Sequence, residues 1–192
     1  MTEQEVFMKL LILKSSPRQN GNSSILADQV AAGARKAGAE VEVISLHGLD
    51  IRPCDACDFC LETGVCVIKD DMQPLYARLL AADAIVLASP IYWFTYNAQL
   101  KTCIDRWYAL WNFDHNAFKD KPFGVILTYG DSDLYNSGAI NAIHTFESMF
   151  RFIQARIAGW VYGSLSDAGD ALKHPELLQQ AERLGEKLAG KV

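Results

Sequence analysis

The sequence predicts a doubly wound α/β fold, with five parallel strands in the order 2-1-3-4-5 and helices on both faces. Three observations carry that expectation. Short apolar runs alternate, from one end of the chain to the other, with stretches whose apolar residues recur at spacings of three and four. The second run alternates apolar with acidic residues, which suits a sheet edge, whereas the central runs are apolar throughout, as strands covered on both faces must be. Five β–α units, with an edge-like second strand, also favour this order over a barrel, which needs about eight. The chain's length, 1–192, reads as one domain without repeat or linker.

The first strand is the run Phe7 to Leu13, broken only by Lys9. It ends in a loop of hydroxyls, one Arg, two Asn and a Gly, and a helical pattern then starts at Ile25 and runs through Leu26, Val30, Ala34 and Ala37. Val41-Glu42-Val43 is the edge strand. Met72, Leu75 and Leu79 mark the helix before Ala84–Ala88, a central strand. Leu100, Ile104, Trp107 and Trp111 share one helix face ahead of Phe123–Leu127, the next central strand. Ile140, Ile143, Phe146, Phe150 and Ile153 form the fourth helix. Gly159–Tyr162 is a short strand at the other edge, and Leu177, Ala181, Leu184 and Leu188 form the last helix. Gly-Asp and His-Pro around 169–175 only punctuate the loop between them.

Composition removes several function classes. A net charge of −5 and a pI near 5.3 leave no basic face for nucleic acid or an anionic membrane. The opening Met1 to Glu5 is acidic where a secretory signal is basic, and no apolar run approaches a membrane span, so the expectation is a cytoplasmic protein. Four of the five Cys crowd between positions 54 and 66, which suggests free thiols or a metal site rather than a secreted disulfide frame. The four His are scattered without ligand spacing.

In this strand order ligands bind beyond the carboxyl ends of the strands, at the switch between strands one and three. Three loops meet there. In the first, Ser15, Ser16, Asn22, Ser23 and Ser24 offer neutral donors and Arg18 a planar cation, beside the positive end of a helix dipole. That suits a phosphate, although the same Ser and Asn also serve as plain helix caps. The loop has neither a Gly-Lys-Ser/Thr ending nor GxGxxG, so a terminal monophosphate such as that of flavin mononucleotide (FMN) fits better than a triphosphate or a pyrophosphate. The second loop reads Ser89-Pro90-Ile91-Tyr92-Trp93-Phe94-Thr95, the third Thr128-Tyr129-Gly130-Asp131-Ser132. Three consecutive aromatics suit a loop that faces something flat, here a planar ring lodged between the second and third loops; core or dimer packing is the other reading.

With those residues in place, the chain resembles the flavodoxin-like NAD(P)H-dependent FMN reductases, in the branch that includes the iron–sulfur flavoproteins. The motifs are Ser15-Ser16-Pro17-Arg18 with Gly21-Asn22-Ser23, then Cys54-x2-Cys57-x2-Cys60-x5-Cys66 leading into Asp70-Asp71-Met72. Ser89-Pro90-x-Tyr92 and Ala98-x-Leu100-Lys101-x3-Asp105-Arg106 complete the set. Ser15 stands where the family usually has Gly. The resemblance implies a flavodoxin-like fold, a phosphate grip at Ser16, Arg18, Asn22 and Ser23 (with Ser24 beside them), and an isoalloxazine lined by Pro90, Ile91, Tyr92, Trp93 and Phe94. It places backbone N–H groups of Thr128, Tyr129, Gly130 and Asp131 at the N1/O2 edge and N5 of the ring. It further implies hydride transfer from NAD(P)H to flavin N5, electron release to a quinone or nitroaromatic acceptor, and a homodimer or homotetramer. No side-chain acid or base is expected, because the flavin carries the chemistry.

Cys54, Cys57, Cys60 and Cys66 match the compact cluster motif of the iron–sulfur flavoproteins, so a [4Fe–4S] centre on them, or a flavodoxin-type electron carrier, is the alternative to a cluster-free reductase. A redox disulfide of Cys54 with Cys57 or Cys57 with Cys60 is a third reading, which a reducing cytosol disfavours. Lys101, Asp105 and Arg106, surrounded by Trp107, Tyr108, Trp111 and Phe113, are expected at a subunit contact. A receiver-type signalling module would need an acidic pair after strand one, where Ser15-Ser16 stands, and a hydrolase would need GxSxG, which is missing.

Overall fold

The structure is a computed structural model that describes residues 7–190; the acidic opening, Met1 to Glu5, falls outside them. Five parallel strands form the sheet: β1 (Lys9–Lys14), β2 (Glu40–Ser45), β3 (Ala84–Tyr92), β5 (Pro122–Tyr129) and β6 (Arg156–Ser164), in the order β2-β1-β3-β5-β6. This is the expected topology. A further strand, β4 (Thr95–Tyr96), pairs antiparallel with the end of β3. Phe7, expected at the start of the first strand, precedes β1 and is 53% exposed.

The period-two alternation of the strands sorts their side chains onto two cores. Leu10, Ile12, Val86 and Ile126 face α1 (Asn22–Lys36) and α7 (Pro175–Leu188). Leu11, Leu13, Leu87 and Val125 face α3 (Met72–Ala81), α4 (Ala98–Asp105) and α6 (Ala139–Phe152). The second core is aromatic: Phe123 lies 4.6 Å from Phe150, and Trp107 5.0 Å from Phe118, between ring centroids. The single helix expected around Leu100 to Trp111 is two helices, α4 and α5 (Tyr108–Phe113), joined through Arg106 and Trp107. A one-turn helix, α2 (Phe59–Thr63), inside the cysteine loop and a 3-10 turn over Asp170–Lys173 are not legible in the periodicity.

Two local features bear on the packing, one beside the crevice and one between helices. The three-aromatic stretch is not an open loop: β3 runs through Tyr92, and Trp93 and Phe94 turn the chain into β4 with φ of 47° and 67°. Tight hairpin turns of this sign select Asn and Gly. Two bulky aromatics held there store strain on the order of 1–3 kcal/mol each. The second is where α1 meets α7. A Cβ on Gly33 would lie 2.2 Å from Glu182 O, and one on Gly185 2.1 Å from Val30 O, so the helices pack backbone to backbone.

Gly33→Ala and Gly185→Ala should each lower stability by about 1–3 kcal/mol, the cost of forcing a methyl into a packed contact. The loss should show as a lower urea midpoint at an unchanged slope. An unaltered midpoint would mean that the two helices stand farther apart.

Candidate functional site

At the switch between β1 and β3 three buried polar residues knit two loops together. Asn97 Nδ2 donates to Ser15 O at 2.7 Å, Ser89 Oγ donates to Asn97 Oδ1 at 3.1 Å, and Asn97 N donates to Ser89 Oγ at 3.1 Å. Ser15 Oγ donates to Ala88 O at 2.9 Å. Ser15 is therefore a brace between strands and not a ligand donor, which corrects its place among the cradle hydroxyls.

A cleft of about 210 Å³ opens above this brace. Ser16, Arg18, Gly21, Asn22 and Ser23 form one wall, Pro90, Ile91 and Tyr92 the second, and Thr128, Tyr129 and Gly130 the third. A Cβ on Gly21 would sit 2.3 Å from Ser16 Oγ, so a larger residue would push the Ser16 hydroxyl out of place. Gly21 O accepts from Ser24 N and Ile25 N, at 2.9 and 3.0 Å, which leaves the N–H groups of Asn22 and Ser23 pointing off the end of α1. Ser23 Oγ is fully buried without a hydrogen-bond partner. Arg18 is exposed at the mouth, its guanidinium 3.5 Å from Ser166 O.

Two of the predicted grip residues behave differently. The Asn22 side chain is committed to the loop after β6: it donates to Leu165 O at 3.2 Å and Asp167 O at 2.8 Å, and accepts from Ala171 N at 3.1 Å. Its contribution is to hold that loop, and only its N–H is free for a ligand. Ser24 does not line the cleft but a groove of about 480 Å³ on the other side of Ser16 and Arg18, where Lys14 is neutralised by Asp28 at 2.9 Å.

The cleft continues into a recess of about 320 Å³ that shares Ile91, Tyr129 and Gly130 and adds Trp93, Phe94 and Asp131. Trp93 is 92% exposed. The Tyr129 hydroxyl titrates above its ordinary value, because of burial and then of Tyr162 and Asp133, so it stays protonated near neutrality. Backbone N–H groups of Asn136 and Tyr135 hold the Asp133 carboxyl below its ordinary value and shape the loop that follows. Leu165, Ser166, Ala168, Asn136 and Ser137 also line these spaces, and the motifs of the sequence do not single them out. A signal for them exists: loops after the fourth and fifth parallel strands end at the same crevice.

The cysteine loop hangs from a different anchor. Arg106, expected at a subunit contact, is 1% exposed; it donates to both Asp70 oxygens, at 2.6 and 3.2 Å, to Arg52 O at 2.9 Å and to Cys66 Sγ at 3.3 Å. Burial raises the Asp70 carboxyl, but the Arg106 guanidinium and the N–H of Arg52 outweigh it and hold it below the ordinary range. Cys54 and Cys57 are exposed, whereas Cys60 and Cys66 are buried. Burial, and then the thiols of Cys66, Cys54 and Cys57, push the Cys60 thiol up. Among the described residues, no three His, Cys, Asp or Glu side chains come together as a group that could hold a metal. Lys101 and Asp105 pair with each other on the surface.

Residues 8–166 match the family described as NADPH-dependent FMN reductase. An iron–sulfur flavoprotein of Methanocaldococcus jannaschii is 37% identical over 99 residues, 52% of this chain and 51% of that protein, so the chain spans about half of that relative. An iron–sulfur flavoprotein of Methanosarcina thermophila is 31% identical over 137 residues, 71% of each. Among solved structures, the Trp repressor binding protein of Bacillus subtilis superimposes with a TM-score of 0.69 at 27% identity, covering 92% of this chain and 99% of that one. The chain belongs to the NADPH-dependent FMN reductase family.

Asp70→Asn should cost about 3–5 kcal/mol, because it leaves the Arg106 charge buried without its counterion. The Asp70 carboxyl titrates lower in the folded protein than in the unfolded chain. Its contribution is therefore full at neutral pH and is lost as pH falls below about 4. Urea melts between pH 3 and 7 should show a shallower acid limb in the variant, and parallel limbs would remove Asp70 from the account.

Proposed function

We propose that this family member binds FMN in the switch-point cleft, takes hydride from NAD(P)H and passes electrons to a small acceptor, a quinone, a nitroaromatic or a similar compound. The observation that carries the reading is the Ser23 hydroxyl, buried and partnerless beside the N-terminus of α1. Leaving such a hydroxyl unpaired costs about 1–3 kcal/mol, and a phosphate oxygen accepting from it would remove that penalty. The other donors there are of the same kind: Ser16 Oγ, the N–H groups of Asn22 and Ser23, and Arg18 at the mouth. Pro90, Ile91 and Tyr92 would line one side of the ring, and Thr128, Tyr129, Gly130 and Asp131 the other, with Trp93 and Phe94 over the recess.

FMN held by these residues would supply the redox chemistry, taking up hydride and passing electrons on to the acceptor. The chain's part is binding, orientation and exclusion of water. The backbone N–H groups of Thr128 to Asp131 would present donors, not charge, to the ring. No side chain is assigned as acid or base. Among the described residues, no helix is long and apolar enough to cross a membrane. We read 1–192 as one cytoplasmic domain whose partners are small molecules, not nucleic acid or membrane. We read it as a homodimer or homotetramer, since exposed Phe113 and Phe152 give the surface the aromatic character that interfaces favour.

A second reading, an iron–sulfur flavoprotein or electron carrier with a [4Fe–4S] cluster on Cys54, Cys57, Cys60 and Cys66, is favoured by the shape of their loop. Ala56 and Asp58 take φ of 54° and 57° on either side of Cys57, and backbone strain of this kind gathers at ligand clamps. The cluster-free reductase is the main reading.

NADPH or NADH should bleach protein-bound FMN within the time of a catalytic turnover; indifference to both would mark a carrier. Arg18→Ala should weaken FMN by about 1.5–3 kcal/mol through loss of a charge-assisted contact, with riboflavin affinity unchanged. Native FMN affinity in that variant would remove Arg18 from the grip. Cys57→Ser should leave FMN binding intact, whereas stoichiometric iron and sulfide in anaerobic wild type, lost in Cys57→Ser, would establish the second reading.

A further inference from the structure

The recess beside the cleft is roofed by a turn that its own sequence opposes. Trp93 and Phe94 both sit in the left-handed region, at φ of 47° and 67°, although neither is Gly, Asn or Asp. The local ladder explains part of their persistence: Tyr92 pairs with Thr95 and Ile91 with Tyr96, and the Tyr96 ring packs 4.8 Å from Phe146. That ladder fixes the strands but not the tip. The tip is fixed from α6. Asn141 Nδ2 donates to Phe94 O at 3.2 Å. Gly138, the residue that opens α6, has a φ of 73°, and a Cβ there would fall 2.4 Å from Phe94 Cβ. Phe94 thus closes down onto a glycine and is tied by one amide, while Trp93 beside it, 6.5 Å away between ring centroids, stays 92% exposed. An exposed Trp on a strained, externally clamped turn is not packed into this chain's core; Trp93 borders the same recess as Tyr129 and Gly130.

We propose that Asn141 and Gly138 are positioning residues for the acceptor: they hold the Trp93–Phe94 turn in the one conformation that presents the Trp93 ring to a flat acceptor in the recess. Trp93 is the specificity-determining ring, and the head of α6 sets its place. This rests on the protein being an FMN-dependent reductase. A planar quinone can stack on an indole, whereas ferricyanide, compact and octahedral, gains nothing from it.

The test is steady-state kinetics of the FMN-loaded protein with a soluble naphthoquinone and with ferricyanide, for wild type, Trp93→Ala, Asn141→Leu, Gly138→Ala and the Trp93→Ala/Asn141→Leu double variant. Asn141→Leu should raise the ratio of the quinone KM to the ferricyanide KM by about fivefold, and Gly138→Ala should act in the same direction. The double variant should shift the ratio no more than Trp93→Ala alone, because without the ring its position no longer matters. Independent, multiplying effects of the two substitutions would overturn the proposal, as would equal rises for both acceptors or an unchanged ratio in Asn141→Leu. A wild type that binds FMN yet passes electrons from NAD(P)H to neither acceptor identifies the reductase reading as the failure, and this proposal falls with it. Should Gly138→Ala not fold, the Asn141 and Trp93 cycle decides alone.

Discussion

Everything at the candidate site depends on Asn97. Its side chain is 1% exposed and makes its bonds to two loops that the topology brings together from strands one and three. A doubly wound sheet guarantees a crevice at that point but not its shape. The bond from Asn97 to Ser15 O fixes the start of the cradle, and the bonds with Ser89 fix the exit of β3, so the gap between the two walls is set by one amide. Such a buried polar group is costly when half-satisfied, and here its carbonyl and amide both have partners. The cradle above it can then leave a hydroxyl, Ser23 Oγ, without a protein partner.

Two other places are held by contacts between residues far apart in the chain. The Trp93–Phe94 turn keeps bulky residues where glycine belongs, and α6 provides the clamp. The cysteine loop is tied by a buried ion pair, Arg106 with Asp70, whose desolvation is offset by bonds to both carboxylate oxygens and to Arg52 O. Arg106 also reaches Cys66 Sγ, so the loop is joined to the core through one of the four clustered thiols.

The sheet is legible in the sequence because strands covered on both faces must be continuously apolar and edge strands need not be. Leu10 to Leu13 and Val125 to Leu127 could hardly be anything else. The cradle is legible in part. Ser16, Arg18 and Ser23 reach the cleft, but successive residues on a helix turn by roughly 100°, and that step carries Ser24 to the groove on the other side of Ser16 and Arg18. Asn22 has the chemistry of a ligand donor; only the fold reveals Leu165 O and Asp167 O within its reach. Arg106 has the look of a surface residue because charge on a helix normally faces water. Its counterion lies 36 residues earlier in the chain, a pairing that no local pattern encodes. The aromatic triplet is unusual for a loop on composition alone, yet its handedness is a property of backbone angles that composition does not reveal.

The central claim is that the switch-point cleft is an FMN site whose phosphate end is the Ser16–Ser23 loop. A crystal structure of the protein with FMN tests it most directly. The account predicts the phosphate within hydrogen-bond distance of Ser23 Oγ and the N–H groups at the start of α1, with the ring between Tyr92 and Gly130. A phosphate bound in the groove beside Ser24 and Lys14, or a ring lying outside the walls of Pro90 and Thr128, would contradict it.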